Sequence, residues 1–110
     1  MPIDPTRTHT NQKLGCLLYC GLYHRTIEVS CPSCGKVVKF DAVPLWWWFD
    51  RRGWDDALPG AMRRFYCATC HRAGNMVRPR WRITEDAPDP GQPPYPSAQD
   101  WKRQIRRYRS

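Results

Sequence analysis

The chain is poor in the residues that normally fill a protein core. Six Leu, four Ile, five Val and three Phe make up only 18 of its 110 residues. Combined with a net charge of +8, so small an apolar fraction is typical of disordered chains. A folded chain of this composition needs other sources of stability in place of the missing aliphatic residues. Six Trp, five Tyr and six Cys offer large ring surfaces for packing and a covalent or metal cross-link.

Long apolar runs are missing as well. The longest, Val43 to Phe49, falls far short of the roughly 18 residues of a transmembrane helix. Residues 1–11 are polar, contain no apolar core of a signal peptide and are interpreted as a flexible N-terminal arm. We therefore expect a cytoplasmic protein that does not enter the membrane. In a reducing compartment, Cys-x-x-Cys pairs favour metal binding over disulfides.

Two such pairs are present, Cys31/Cys34 and Cys67/Cys70. Zinc takes four ligands in a tetrahedron, and one pair supplies only two of them. Gly35 directly follows the first pair and suits a tight turn, since glycine tolerates a positive φ. The pairs are separated by 32 residues, more than the 15 to 20 or so of a usual zinc ribbon. The sequence thus predicts one structural Zn²⁺ per chain, with a helical insertion between the two knuckles.

Other chemistry remains open at these cysteines. Rubredoxin-type iron uses the same ligand set. Cys31-Pro32-Ser33-Cys34 is similar to a glutaredoxin redox pair, but such a pair lies at a helix N-terminus, and here a β-like run follows. Disulfides are the third alternative. Cys16, Cys20 and His24 are spaced four apart and would form an incomplete second metal site, or the two cysteines are small core residues. His71 is either a replacement ligand or an exposed residue of the second knuckle.

Periodicity and capping signals predict an α+β fold. A short N-terminal helix is expected at 12–21, with Gly21 near its end. Strands at 26–30 and 36–40 flank the first knuckle, and strands at 63–66 and 76–83 flank the second. Between them, Asp41 is a suitable N-cap and Gly53 a stop for a helix at 42–52. Together these elements form a zinc-ribbon-like domain spanning residues 12–85.

The composition changes after Thr84. Residues 86–96 hold five prolines and no Lys or Arg, which is typical of an extended, flexible linker. Residues 97–110 then predict a basic amphipathic tail helix capped by Ser97. Trp101, Ile105 and Tyr108 would share its apolar face.

Several residues around the two cysteine pairs resemble those of small bacterial double-CxxC proteins. The resemblance covers about residues 13–82. The residues that carry it are Leu14-Gly15, the strand before Cys31, Cys34-Gly35, Asp41, Leu45, Leu58-Pro59, Arg63-Arg64 and Cys67-x-x-Cys70. It implies a metal site and no particular activity. The chain departs from the pattern at His71, where a glycine usually follows, and at its triple tryptophan.

Basic residues point to a polyanion partner. On a strand, alternate residues share one face, so Arg78, Arg80 and Arg82 would form either a row for contacting phosphates or a solvated outer face of the strand. The tail helix adds four further candidates, Lys102, Arg103, Arg106 and Arg107. We therefore expect a nucleic-acid-binding accessory or regulatory module that binds DNA or RNA with little sequence specificity.

The tryptophans support an alternative function. Trp46, Trp47 and Trp48 on one helix would span about 200° of its circumference, so they cannot all face one core. Together with Trp101 they would contact a larger protein or a second copy of the chain, which makes the protein an interaction adaptor. An enzyme is not expected, and neither is a small-molecule substrate. No nucleophile–base pair is apparent, and four thiolates would close the metal site.

Overall fold

A computed structural model describes residues 13–109 of the protein, with side chains up to Arg107. The predicted N-terminal arm, residues 1–11, lies outside the described residues. Within them the fold is α+β, with a three-stranded antiparallel sheet and four α-helices. In chain order the elements are α1 (Leu17–Leu22), β1 (Thr26–Ser30), β2 (Val37–Asp41), α2 (Ala42–Arg51), a 3-10 helix (Gly60–Arg64), α3 (Ala68–Arg72), β3 (Arg80–Thr84) and α4 (Ala98–Arg109).

The sheet has β1 in the middle, with β2 and β3 on its two sides. Ile27 of β1 lies opposite Phe40 of β2 and Ile83 of β3, and both isoleucines are buried in the main core. Side chains alternate between the two faces of a strand. The next residue of β1, Glu28, therefore lies on the opposite face, paired with Lys39 of β2 on one side and with Arg82 of β3 on the other.

Helix α2 follows β2 without a loop and confirms the predicted helix at 42–52. The Val43 N–H donates a hydrogen bond to the Asp41 carboxylate (3.1 Å), which is the predicted N-cap. Gly53 follows the helix with a φ of +67°, a conformation that glycine adopts easily at a helix end. Trp46 and Phe49 are buried on the side of α2 that faces the core.

Helix α1 is shorter than predicted. It starts at Leu17, because the residues before it are extended and pair with a later segment. The Leu58 N–H donates to the Gly15 carbonyl (2.9 Å), and Cys16 forms an antiparallel β-bridge with Ala57. Gly21 does not end the helix but lies inside it. A Cβ atom there would come within 3.3 Å of the Trp101 ring, so a small residue permits this close packing.

The strand predicted at 63–66 is wrong. The 3-10 helix ends at Arg64 and no ladder follows it before α3. Arg63 and Arg64 are consecutive and both exposed, whereas side chains of a half-buried strand alternate between the two faces. The strand predicted at 76–83 is partly right. It begins only at Arg80, so Pro79 precedes the strand.

The proline-rich segment 86–96 lies along the outer edge of β2. The Lys39 N–H donates to the Asp89 carboxylate (2.8 Å), and the Asp89 N–H donates to the Lys39 carbonyl (3.0 Å). The Asp41 N–H donates to Gln92 Oε1 (2.8 Å). These contacts, which the composition did not predict, cover backbone groups that an edge strand would otherwise expose.

The tail helix α4 confirms the predicted basic helix. Ser97 caps it, accepting a hydrogen bond from the Asp100 N–H (3.1 Å). Trp101 packs edge-on against Trp46 of α2, with ring centroids 5.4 Å apart. No helix in the described part of the chain combines the length and the apolar character that crossing a membrane requires.

Candidate metal centre and the surface beside it

The four cysteines of the two pairs come together, as predicted. Their Sγ atoms all lie within 4.8 Å of one another. Cys31 and Cys70 are 3.6 Å apart at sulfur, and Cys34 and Cys67 are 3.5 Å apart. Four sulfurs placed tetrahedrally at 2.3 Å from one ion would be about 3.8 Å from each other. The donor set therefore fits a tetrahedral thiolate site for a metal ion.

The first pair occupies the turn between β1 and β2. The Cys31 N–H donates to the Lys36 carbonyl (2.8 Å), and the Gly35 N–H donates to the Cys31 carbonyl (3.0 Å). Gly35 has a φ of +77°, which explains why a glycine suits this position. The hairpin register thus fixes the place of Cys31 and Cys34.

The second pair lies at the start of α3, where a strand was expected to lead into it. Cys67 immediately precedes the helix and Cys70 is in its first turn. The His71 N–H donates to the Cys67 carbonyl (2.9 Å), and the Asn75 N–H donates to the Cys70 carbonyl (2.9 Å). One helical turn replaces the second hairpin, because it brings residues three apart to the same side.

Backbone amides prepare two of the thiols to bind a cation. The Cys34 N–H, with a smaller contribution from the Ser33 N–H, lowers the pKa of Cys31 to about 6. The Cys70 N–H likewise lowers the pKa of Cys67. The pKa of Cys70 is raised to about 12, first by its hydrogen bond with the Cys31 sulfur and then by burial. Because neighbouring thiolates repel one another, some of the cysteines favour the protonated form. A bound cation would favour the thiolate form of all four instead.

The cysteine cluster is separate from the main core. Cys31, Cys67 and Cys70 are buried, and Val77 is the partly buried apolar residue packed against them. Cys34 is exposed. Little apolar packing therefore joins the hairpin turn to α3 at this cluster.

The other candidate ligands do not join a metal site. The cluster of four is the only group of suitable ligand atoms found among residues 13–109. Cys20 is fully buried in the core, and burial raises its pKa to about 12. Burial also raises the pKa of Cys16. His24 is exposed beyond the end of α1, and His71 contacts the Tyr66 ring at 5.0 Å instead.

The predicted arginine row is not one row. Arg80 and Arg82 lie on β3, but Arg78 comes before the strand begins. Arg82 pairs with the Glu28 carboxylate and lies 3.9 Å from Asp86. Its charge is therefore largely compensated within the protein.

Arg78 instead joins two arginines that the sequence analysis did not select. Arg63, Arg64 and Arg78 line an open cleft of about 350 Å³ beside the second knuckle, which we call the arginine cleft. Tyr66 and His71 also line it. The signal that could have found it is charge patterning: between Ala57 and Thr84 the chain has six arginines and no acidic residue.

The remaining sequence candidates lie elsewhere. Arg103 is 3.6 Å from the Asp100 carboxylate. Lys102, Arg106 and Arg107 are exposed on α4.

The tryptophans are mostly engaged within the chain. Trp46 is buried and contacts Trp101. Trp47 and Trp48 are half-buried, and each has an arginine guanidinium near its ring, Arg51 at 5.4 Å from Trp47 and Arg52 at 3.6 Å from Trp48.

No protein-family model, curated protein or solved structure matches this chain. Its likeness to double-CxxC zinc-ribbon proteins stays a prediction. The described residues establish a cluster of four thiols at metal-binding distances, next to a cleft lined by three arginines.

Proposed function

We propose that this protein is a zinc-stabilised module that binds nucleic acid with little sequence specificity. Zinc is favoured for the four-cysteine site because a tetrahedral set of thiolates suits it and leaves no open coordination position. Such an ion has a structural role. It would join the β1–β2 turn to α3 and so place the neighbouring surface.

The arginine cleft is the observation that carries the nucleic-acid proposal. Arg63 and Arg78 form no ion pair within residues 13–109, so their charges are available to phosphates. Guanidinium groups match phosphate oxygens in charge and in geometry. Arg72 and Arg80 are exposed nearby in sequence and extend the basic character of this region.

The adaptor hypothesis has less support. Its two best anchors, Trp46 and Trp101, pack on each other and are not displayed together on a free surface. Trp47 and Trp48 are only partly exposed. A nucleic-acid partner also agrees better with the net charge of +8.

The experiment is the salt dependence of binding. Fluorescence anisotropy with labelled DNA and RNA should give micromolar affinity at low salt, and a log K against log salt slope of about −3 to −5. The double variant Arg63→Ala/Arg78→Ala should flatten that slope by about 1.4 to 1.8, since two phosphate contacts are lost.

A charge-matched control removes two arginines that already have carboxylate partners. Arg82→Ala/Arg103→Ala lowers the net charge equally but should leave the slope nearly unchanged, because Glu28 and Asp100 compensate these residues. Metal content and circular dichroism would verify that all variants fold. The proposal fails if no binding is detected at low salt, or if both double variants flatten the slope to the same extent.

A further inference from the structure

A second cavity lies next to the arginine cleft. It measures about 480 Å³ and we call it the aromatic cavity, since rings make up most of its wall. Its main lining residues are Phe40, Trp48, Trp54, Phe65, Tyr66 and Arg64. Arg64, Phe65 and Tyr66 also line the arginine cleft. Three consecutive residues therefore separate a cationic cleft from an apolar, ring-lined cavity.

The cavity wall is suited to flat ligands. The Arg64 guanidinium lies 4.2 Å from the centre of the Trp54 ring, and that of Arg52 lies 3.6 Å from the centre of the Trp48 ring. Aromatic rings and stacked guanidinium planes are the groups on which unpaired bases stack. Tyr66, at the boundary between the two cavities, touches His71 but is 64% exposed, so much of its ring remains accessible to such a ligand.

A ligand that fills both cavities needs a flat apolar part joined to an anionic part. A nucleotide has this composition, with its base suited to the aromatic cavity and its phosphates to the arginine cleft. In a duplex the bases are stacked and paired inside the helix, so only a single strand or a loop presents them freely.

Building on the proposed function, we infer that the nucleic acid is single-stranded and that one unpaired base enters the aromatic cavity. The phosphates on either side of this base lie along Arg63, Arg64 and Arg78. An acidic peptide with an aromatic side chain has related chemistry. The single strand is favoured because Arg64 borders the cavity and Arg63 and Arg78 line the adjacent cleft, so that more than one phosphate of the same strand can meet a guanidinium.

The test compares three labelled probes at one salt concentration: an oligothymidine of about 12 nucleotides, an abasic strand of the same length, and a duplex. The abasic strand keeps the phosphates but has no bases. We expect the oligothymidine to bind at least about tenfold more tightly than the other two, as stacking of a base usually contributes a factor of this size or more.

Variants at the boundary residue locate the effect. Tyr66→Ala should weaken oligothymidine binding about tenfold while leaving abasic-strand binding unchanged, and Tyr66→Phe should retain the affinity. Tyr19→Ala is the matched control, because Tyr19 is 38% exposed and lines neither the arginine cleft nor the aromatic cavity. The comparison of probes on the unaltered protein remains decisive if a variant fails to fold.

The same probes distinguish failure of the single-strand inference from failure of the proposed function. If all three probes bind equally well with a steep salt dependence, the proposed function stands and the single-strand inference is wrong. If none binds, the proposed function fails too, and binding of an acidic, tryptophan-containing peptide would then assign this surface to a protein partner.

Discussion

Replacing Trp101 with alanine should release α4 from the rest of the protein without unfolding it. Trp101 is half-buried, with its ring against Trp46 and 3.3 Å from the position of a Cβ at Gly21. Truncating a fully buried Trp costs about 3 to 5 kcal/mol. For a half-buried ring we expect about 2 kcal/mol, which shifts the docking equilibrium roughly 30-fold.

The loss should be local because α4 has only 12 residues. A helix of that length is marginally stable alone in water, so the undocked helix unfolds. Amide exchange over 98–107 should accelerate by roughly 30-fold, while exchange in β1 stays the same. Hydrogen-exchange mass spectrometry measures both regions at once, and Trp101→Phe is the conservative control. Unchanged exchange over 98–107, or equal acceleration in β1, would refute this account of docking.

Three further perturbations have defined outcomes. Removing the metal with a strong chelator, or Cys67→Ser, should unfold the region around the two cysteine pairs, because binding of a structural metal supplies folding energy; an unchanged near-UV circular dichroism spectrum would contradict this. Asp41→Ala should lower the free energy of unfolding by about 1 kcal/mol through loss of the N-cap, whereas Asp41→Asn should largely retain it; equal urea midpoints for the two variants would argue against the cap. Lys39 lowers the pKa of Asp86 through a hydrogen bond and through its charge. The Asp86 carboxylate therefore stabilises the fold fully at pH values above its unfolded pKa of about 3.9. This contribution is lost as the pH falls through the lower pKa of the folded state. Melting temperatures should therefore differ between the protein and Asp86→Asn near neutral pH and converge in acid, and a constant difference would contradict the assignment.

Local signals predicted those parts of the fold that depend on neighbours in sequence. Asp41 and Gly53 bracket α2 because capping is decided within a few residues. The cysteine pairs predicted the thiol cluster because a tetrahedral ion requires four donors. The hairpin at Cys31 followed from the alternation of residues on either side of it.

Features that depend on distant partners were missed. Nothing near Asp89 in the sequence indicates that it bonds to Lys39, and nothing near Gly21 indicates that Trp101 packs on it. The arginine row illustrates the same limit. Alternation placed Arg82 on an exposed face, but its partner Glu28 lies on another strand.

The most direct test is the metal content of the purified protein. We expect about one zinc ion per chain when the reduced, folded protein is measured by elemental analysis, since Cys31, Cys34, Cys67 and Cys70 together supply the four ligands of one tetrahedral site. Iron in place of zinc would keep the site but change the metal. Less than about half an equivalent of any metal in reduced, folded protein would contradict the metal centre.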